Sequence, residues 1–421
     1  MEDNAIMTFD IQTPSLATAQ RSLGPGNPTY PLLPAQLSGC PKTSNETMQF
    51  PLEVAYDYAS ATDVSFARGT HWQDWQAILP PRHPRATMPV GGTPLVDVSS
   101  VAPPRFREQK VFIKDESRNP TWSHKDRLNT FTISAALYEG ATTIIVASSG
   151  NHGISAAAMA SRASLNCIVL TMPEVSPAVR DMILGYGAYP VFLPADARWP
   201  AMRALKELPG TYPVSNLTPV HTGHPWGPEG YKTMAYEILA DLDGATPAAV
   251  VVPTGYGEML YGIYKGFNEA RLLGRIDRIP QLVSVEPAAR GPLHHALRAN
   301  TPATTVEAGP TIQSGTAVTV NGYRAVIAIR DSNGIPLLVT DDAARAAHAV
   351  LARQGLWQEY SSSAAFAALD DIMAFDADGP VVVIGCSTGL KEPAEPRPAA
   401  ATKPDLASLR HYLKTEFGFD I

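Results

Sequence analysis

Short runs of β-branched and aliphatic residues, separated by alanine-rich stretches, constrain the fold of this chain most strongly. Six runs share this character: TTIIVA (142–147), NCIVLT (166–171), YPVFL (189–193), AAVVV (248–252), QLVSV (281–285) and PVVVIG (380–385). Continuous apolar runs of this length are typical of strands buried on both faces of a parallel sheet. Stretches such as ISAAAMASRA (154–163) and GYKTMAYEILADL (230–242) are typical of helices. The alternation predicts an α/β fold with parallel-rich sheets covered by helices.

The composition argues against several classes of partner. The chain has 421 residues, of which 45% are hydrophobic, and this suits two domains with ample apolar material to bury. A net charge of −7, without any lysine- or arginine-rich run, argues against a nucleic-acid partner. No apolar run approaches the ~20 residues that span a bilayer. We therefore expect neither a nucleic-acid nor a membrane partner.

The cysteines and the N-terminal residues bear on the cellular compartment. Cys40, Cys167 and Cys386 are dispersed and odd in number, so they indicate neither a disulfide framework nor a zinc site. The acidic start MEDNAIMTFDIQ lacks a signal-peptide pattern. We expect a cytoplasmic protein without a bound metal.

Glycine or small polar residues follow the carboxyl ends of three predicted strands, where open α/β sheets bind ligands. After the first strand, SSGNHG (148–153) leads into a helix, and a helix start offers backbone N–H groups to an anion. Ser148 and Ser149 could equally be simple caps of that helix. After a later strand, CSTGLK (386–391) offers neutral groups that either complete a turn or contact a ligand.

The third strand end carries PTGYGEMLYG (253–262). Gly255 and Gly257 let the backbone approach a phosphate closely, and the helix start that follows adds N–H donors. A lone Gly-x-Gly is a weak signal, and the full dinucleotide pattern is absent because Leu260 holds its third place. One phosphate therefore fits this loop better than a pyrophosphate.

Lys125 lies in the polar stretch NPTWSHKDRLN (119–129). Taken alone, it is more typical of a solvated surface lysine, since lysines are rarely buried. One cofactor nevertheless explains an amine, an asparagine turn, a single-phosphate loop and a neutral polar contact together. That cofactor is pyridoxal 5′-phosphate.

Several segments resemble the threonine synthases in the order of that family. They are GGTPLV (91–96), KDESRNPTWSHKDR (114–127), PEGYKTMAYEI (228–238) and GLKEP (389–393). SSGNHG and VPTGYGEMLYGI also resemble loops of the serine and threonine dehydratases. The resemblance extends from about residue 90 to residue 393 and implies the tryptophan-synthase β-type fold (fold type II). That fold has two α/β domains, with pyridoxal phosphate in the cleft between them.

The residues themselves indicate the two ends of the chain, since residues 1–50 are rich in Pro, Ser, Thr, Gln and Asn without a clear period and a proline-rich connector precedes the last helix. The resemblance implies the two domains between them. We expect an irregular N-terminal arm (1–50), a large cofactor-binding domain (51–118 with 215–400), a smaller α/β domain (119–214) and a C-terminal helix (401–421). We also expect a homodimer that acts on a small amino acid.

The same resemblance implies roles for individual residues. Lys125 would bind the cofactor aldehyde and then remove the substrate α-proton as general base. Asn151 would hydrogen-bond the ring hydroxyl, and Cys386 would lie beside the pyridine nitrogen, with Ser387 or Thr388 as alternatives. Backbone groups of the phosphate loop would hold the phosphate: Gly255, Tyr256, Gly257, Glu258 and Met259. The residues assigned to the substrate are Thr93, Ser148, Ser149 and His152.

Departures from the threonine synthase pattern concern the substrate. Gly227 stands where that family has an arginine for the substrate phosphate, and Tyr256 and Met259 replace asparagines. Glu258 adds a negative charge, and Trp122 replaces a glycine. We expect elimination or replacement at Cβ or Cγ of an amino acid other than O-phosphohomoserine. A serine/threonine-type ammonia-lyase and a non-catalytic binding protein of the same fold are the alternatives.

Overall fold

The structure is a computed structural model that describes residues 14–392 and 401–421. The strands are β1 (Ala17–Ser22), β2 (Thr29–Tyr30), β3 (Leu52–Tyr56), β4 (Leu95–Asp97), β5 (Val111–Asp115), β6 (Thr143–Ala147), β7 (Asn166–Thr171), β8 (Tyr189–Phe192), β9 (Thr211–Pro213), β10 (Ala249–Pro253), β11 (Gln281–Pro287), β12 (Ile335–Val339) and β13 (Val381–Gly385). The helices are α1 (Lys125–Tyr138), α2 (Asn151–Arg162), α3 (Pro177–Gly185), α4 (Arg198–Lys206), α5 (Gly227–Tyr231), α6 (Thr233–Asp241), α7 (Glu258–Leu272), α8 (Pro292–Arg298), α9 (Tyr323–Asp331), α10 (Asp341–Arg353), α11 (Tyr360–Ala367) and α12 (Leu406–Phe417).

Two sheets carry the α/β architecture. The larger has the order β12-β11-β10-β13-β5-β4, and all its pairs are parallel except the edge pair of β4 with β5. The smaller has the order β8-β7-β6-β9 and is parallel throughout. Each of the six predicted strands is present, and the predicted α/β class with parallel-rich sheets is confirmed. The predicted helix over 230–242 is two helices, α5 and α6, that meet at Lys232.

The central strand β10 buries side chains on both faces of the large sheet. Val250 and Val252 lie in one core cluster with Phe267 of α7, whereas Val251 lies in a second cluster with Phe366 of α11. Successive residues of a strand point to opposite faces, so helices cover both faces of this sheet. This explains why its sequence is a continuous apolar run rather than an alternating one.

Residues 14–50, which were expected to be irregular, contain two strands. β1 pairs antiparallel with both β2 and β3, with Gln20 opposite Tyr30 and Val54. The inward positions of β1 include Gln20 and Ser22, and the Gln20 side-chain amide donates to the carbonyls of Pro31 and Pro34. Because polar residues fill these buried positions, no apolar alternation marks the strand in the sequence.

The chain divides into two compact units. The first ends at Lys391, and the second begins at Glu392. The second unit contains α12, whose first turn is capped by the Asp405 side chain accepting from the N–H of Ser408. In the described ranges, no helix combines the length and the apolar character needed to cross a membrane. All candidate site residues lie in the first unit.

Candidate active site

Lys125 is the first residue of α1, at the edge where the strands β5 and β13 end. The N–H of His124 donates to the carbonyl of Cys386 at 2.9 Å, which ties the loop before Lys125 to the segment after β13. The Lys125 amine donates to the Tyr231 hydroxyl at 3.0 Å. The side chain is therefore half-buried and directed inward, unlike that of a solvated surface lysine.

The burial of Lys125 favours the neutral form of its amine. Burial lowers the pKa of Lys125, although negative charge on Glu258, Cys386 and Glu359 would oppose this shift. Only the neutral amine is a nucleophile, so a lowered pKa increases the reactive fraction near neutral pH. This is the property that the chemistry of a catalytic lysine requires.

Asn151 lies at the start of α2, and both the oxygen and the nitrogen of its side-chain amide form hydrogen bonds. Its oxygen accepts hydrogen bonds from the Lys391 amine at 2.8 Å and from the Ser387 hydroxyl at 3.0 Å. Its nitrogen donates to the Glu359 carboxyl at 3.1 Å. Two donors on the oxygen fix the amide so that its N–H₂ group points toward the Glu359 side of the site.

Glu359 and Lys391 are both shifted toward their neutral forms. Burial raises the pKa of Glu359, and burial lowers the pKa of Lys391 to about 8. The Lys391 amine also donates to the carbonyl of Thr121 at 2.6 Å, in the loop that precedes α1. These two side chains connect Asn151 with the segment of Lys125.

The three neutral residues after β13 have different surroundings. The N–H of Cys386 donates to the Ser362 hydroxyl at 2.9 Å, and burial raises the pKa of the Cys386 thiol well above its ordinary value. Ser387 contacts Asn151, whereas the Thr388 hydroxyl donates to the carbonyl of Trp357 at 3.4 Å. Cys386 and Ser387 thus lie at the site, and Thr388 faces the neighbouring segment.

The glycine loop after β10 is built so that backbone alone can occupy it. Gly257 has φ of +90°, and a Cβ there would lie 2.2 Å from the Cβ of Ala325, so no other residue fits without a shift. A Cβ on Gly255 would make only ordinary contact, 3.4 Å from Val318. Since α7 begins at Glu258, its first N–H groups emerge at this loop.

The side chains of this loop are all directed into the protein. Tyr256 stacks on His221, with ring centroids 4.0 Å apart and planes 8° apart, and Met259 is buried in the core. The Glu258 carboxyl lies 3.9 Å from the His221 Nε2 atom. A Cβ on Gly223 would lie 2.1 Å from a carboxyl oxygen of Glu258. Burial raises the pKa of Glu258, although Lys125 opposes this. Glu258 therefore faces the interior of the protein.

The start of α2 has no side-chain cap among the residues that the structure describes. Its N-cap is Gly150, which provides no side chain, and the Ser148 hydroxyl accepts from the N–H of Gly150, at 3.2 Å. Ser148, Ser149 and His152 are half-buried, and His152 Nε2 has no hydrogen-bond partner in the described part of the chain. Burial, and next the charge of Lys125, lower the pKa of His152 well below its ordinary value. The first N–H groups of α2 are thus available to an anion rather than capped by serine.

A family model described as "Pyridoxal-phosphate dependent enzyme" matches residues 86–387. This chain belongs to that family. It is similar to the threonine synthase of Methanosarcina acetivorans, with 31% identity over 81% of this chain and 86% of the relative. It is also similar to the threonine synthase of Synechocystis sp., with 30% identity over 88% of this chain and 91% of that relative.

Two solved structures of similar fold are enzymes whose names refer to serine. A fungal L-serine ammonia-lyase from Rhizomucor miehei superposes with a TM-score of 0.62 at 20% identity, over 71% of this chain and 94% of that one. The serine racemase of maize gives a TM-score of 0.61 at 17% identity, over 77% of this chain and 92% of that one. At these identities the superpositions support the fold of this pyridoxal-phosphate enzyme and nothing finer.

The residues at this site fit pyridoxal phosphate. The cradle at Gly257, which any Cβ would fill, leaves a row of backbone N–H groups for one phosphate. The Lys125 amine has the lowered pKa that binding an aldehyde requires, and the Asn151 amide is fixed with its N–H₂ group toward the site. His152 Nε2 is a buried polar atom without a partner in the described part of the chain, as expected beside a ligand. The cofactor of this enzyme is pyridoxal phosphate.

Thr93, which the sequence assigns to the substrate, lies in a buried network of charges. Its hydroxyl donates to Glu116 at 2.6 Å and accepts from Arg127 at 3.1 Å. Arg127 also forms ion pairs with Glu116 and Glu237, at 2.6 and 2.7 Å. The Thr93 hydroxyl is therefore fully engaged in the scaffold, and no hydrogen bond among the described residues joins it to Lys125 or Asn151.

Neither Tyr231 nor Glu359 was predicted from the sequence as a site residue. Tyr231 is 106 positions from Lys125, and Glu359 is 208 positions from Asn151. Tyr231 lies inside the segment PEGYKTMAYEI (228–238), which resembles the family, so the sequence offered a signal for Tyr231. Glu359 belongs to no quoted motif, and only the fold brings it to the site.

Proposed function

We propose that this pyridoxal-phosphate enzyme is a lyase that catalyses elimination or replacement at Cβ or Cγ of an α-amino acid, with Lys125 as its catalytic lysine. The observation that supports this most strongly is the half-buried Lys125 amine, whose pKa burial lowers and which donates to the buried Tyr231 hydroxyl. Bound there, pyridoxal phosphate supplies an electron sink that makes the α-proton of an amino acid acidic. The Lys125 amine then takes that proton as general base.

We propose that the other site residues bind and orient. The backbone N–H groups from Gly255 to Met259 hold the cofactor phosphate, and the Asn151 N–H₂ group donates to the ring oxygen. The uncapped start of α2 receives the substrate carboxylate, since a helix N-terminus favours an anion. Cys386, whose thiol burial keeps neutral, lies beside the pyridine nitrogen.

In our proposal the cofactor lies between two domains, and every residue proposed to contact it belongs to the first unit. The smaller domain (119–214) contributes Lys125 and Asn151, and the larger domain (51–118 with 215–400) contributes the glycine loop and Cys386. The hydrogen bonds of Lys125 with Tyr231 and of Asn151 with Glu359 each join the two domains. Closing a site between domains excludes water from the reacting atoms.

We propose that the substrate is not O-phosphohomoserine. Gly227 is buried on α5, and a Cβ there would lie 3.2 Å from the Leu128 side chain, so a larger residue would require that side chain to shift. Glu258 is half-buried and faces inward, where it repels a second phosphate if ionised and offers a hydrogen-bond donor if protonated. A side chain with a neutral leaving group suits this pocket better than a dianion.

Steady-state kinetics tests the reaction and the substrate together. O-Phosphohomoserine is compared with amino acids that carry neutral leaving groups, such as O-acetyl-L-serine and β-chloro-L-alanine. Two missing charge-assisted hydrogen bonds, each contributing ~1.5–3 kcal/mol, predict a kcat/KM for O-phosphohomoserine lower by about a hundredfold or more. A kcat/KM of ~10⁴ M⁻¹s⁻¹ or above with O-phosphohomoserine would contradict the proposal. Release of ammonia and a keto acid from L-serine or L-threonine at such a rate would favour the ammonia-lyase alternative.

We also propose that the enzyme is a cytoplasmic homodimer. All three cysteines are buried and unpaired, which suits a reducing compartment. Analytical ultracentrifugation of the full chain should give twice the mass of 45.1 kDa. A single species at the monomer mass would contradict the dimer.

A further inference from the structure

Within residues 14–392 and 401–421, the Lys125 amine has one hydrogen-bond partner, the hydroxyl of Tyr231. The two atoms are 3.0 Å apart, and the amine lies 5.5 Å from the centre of the tyrosine ring. The Tyr231 side chain is fully buried, with 0% exposure. Among the described residues, no other group hydrogen-bonds to this hydroxyl. The phenol is thus directed at the amine and at nothing else in that part of the chain.

Two glycines bring Tyr231 to this position. A Cβ on Gly230 would lie 1.9 Å from the carbonyl oxygen of Arg127, so only glycine lets α5 pack against the first turn of α1. A Cβ on Gly262 would lie 2.5 Å from the Cβ of Tyr231, so α7 also gives way to the tyrosine. These two close approaches fix the backbone of Tyr231 relative to Lys125.

The phenol is held in place and stays protonated. The His124 ring lies 5.5 Å from the Tyr231 ring and packs beside it. Burial, and next the charge of Glu258, raise the pKa of Tyr231 well above its ordinary value. At neutral pH the oxygen is therefore a neutral hydrogen-bond acceptor rather than a phenolate.

We propose that Tyr231 is a positioning residue for Lys125, a role that rests on the proposed function of that lysine. When the freed amine takes the α-proton, its lone pair forms an N–H bond on Lys125, and the electron pair of the broken Cα–H bond stays on the substrate. The resulting ammonium donates a hydrogen bond to the Tyr231 oxygen. That bond stabilises the protonated amine and holds it at the position from which it must return the proton.

Other charged or titratable groups face the same amine, and they determine what a mutation isolates. They come from several elements packed around Lys125: Glu258 on α7, Glu359 before α11, Cys386 after β13, His124 and His152 on the segments beside it, and His221. Tyr231→Phe leaves all of them in place and removes only the phenol oxygen. A change in the titration of Lys125 in this variant therefore reports on that oxygen.

The test compares Tyr231→Phe with the wild type in two measurements. The first follows the rate at which the full chain without cofactor binds added pyridoxal phosphate, by absorbance, as a function of pH. Because the acceptor that stabilises the ammonium is lost, the acidic midpoint of this rate should shift to lower pH. The second is turnover of the best substrate found above. Loss of a hydrogen bond to a charged group should lower kcat about tenfold to a hundredfold, with KM nearly unchanged.

A matched control separates this role from a general effect of removing a tyrosine hydroxyl. Tyr264 on α7 donates to Asp331 at 3.0 Å rather than to Lys125, so Tyr264→Phe should leave the midpoint and kcat as in the wild type. If Tyr231→Phe does not fold, 3-fluorotyrosine introduced at position 231 alone keeps the shape. Its more acidic phenol is a weaker acceptor, so the midpoint should shift in the same direction by less.

The outcomes distinguish this inference from the proposed function. An unchanged midpoint and kcat in folded Tyr231→Phe, or an unchanged midpoint with 3-fluorotyrosine, would overturn the role of Tyr231 while leaving that of Lys125 intact. If Lys125→Ala kept the cofactor absorbance of the wild type, the proposed function would be overturned, and the role of Tyr231 with it.

Discussion

Lys125 and Arg127 are two residues apart on α1, yet their surroundings are opposite. Arg127 forms ion pairs with Glu116 and Glu237, and although burial opposes it, these carboxylates raise its pKa. In turn, Arg127 and Lys114 outweigh burial and lower the pKa of Glu237. In the described part of the chain, no carboxylate lies within ion-pair distance of Lys125, and burial dominates its pKa.

The difference separates charges that build the scaffold from groups that are available for chemistry. In the Arg127 network each charge has a close partner of opposite sign, and the pKa shifts of Arg127 and Glu237 favour their charged forms. Around Lys125, burial shifts the amine and the carboxyl groups of Glu258 and Glu359 toward their neutral forms. A group whose pKa is shifted toward neutral pH can gain or lose a proton during a reaction. Such pKa shifts are typical of functional sites.

The first prediction addresses the chemical side of this comparison. Lys125→Ala should lose the absorbance band of the lysine-bound cofactor and at least ~10²–10⁴-fold of turnover, the range of general-base catalysis alone. Its unfolding free energy should change little, because the amine makes one hydrogen bond in the described part of the protein. Absorbance, turnover and denaturant unfolding measure these effects. Lys110→Ala, at an exposed lysine, is the control and should match the wild type. Retention of the band in Lys125→Ala would contradict the assignment.

The second prediction addresses the scaffold side. Arg127→Met leaves Glu116 and Glu237 buried with fewer partners, so it should lower the free energy of unfolding by about 3–5 kcal/mol. Urea unfolding followed by circular dichroism measures this value. A loss below ~1 kcal/mol would mean that the network does not maintain its charges in the way described here.

The third and smallest effect concerns Cys386. Cys386→Ser keeps a small neutral group, so turnover should fall by no more than about fivefold. Such a factor corresponds to a free-energy change within ~1 kcal/mol. Cys386→Asp places a carboxyl beside the pyridine nitrogen and should favour racemisation or transamination over elimination. Product analysis of both variants is the measurement. A loss of activity in the serine variant as large as in Lys125→Ala would indicate a catalytic thiol instead.

Local pattern was enough to predict much of the fold and part of the site. Runs such as AAVVV predict strands because burial on both faces leaves no polar position. β1 was not predicted, since its inward residues Gln20 and Ser22 are polar and satisfied by hydrogen bonds. Helix 230–242 was predicted as one piece, because no residue in the sequence marks its break at Lys232.

The partners of the site residues depend on contacts that the sequence does not display. Asn151 follows β6 of the smaller sheet and the glycine loop follows β10 of the larger one, and the carboxyl ends of such strands are where α/β sheets bind ligands. Tyr231 reaches Lys125 only because Gly230 allows close packing on α1, which no spacing reveals. Thr93 was assigned to the substrate from its motif, but its hydroxyl is committed to Glu116 and Arg127.

Borohydride reduction of the cofactor-loaded wild type, followed by peptide mass spectrometry, tests the central claim most directly. The site holds two amines whose pKa is lowered by burial, the half-buried Lys125 and the buried Lys391, and of the two only Lys125 has no carbonyl or amide oxygen partner among the described residues. We predict that the reduced pyridoxyl group is found on Lys125 and on no other lysine. A label on Lys391, or on any lysine other than Lys125, would contradict the identification of the catalytic amine.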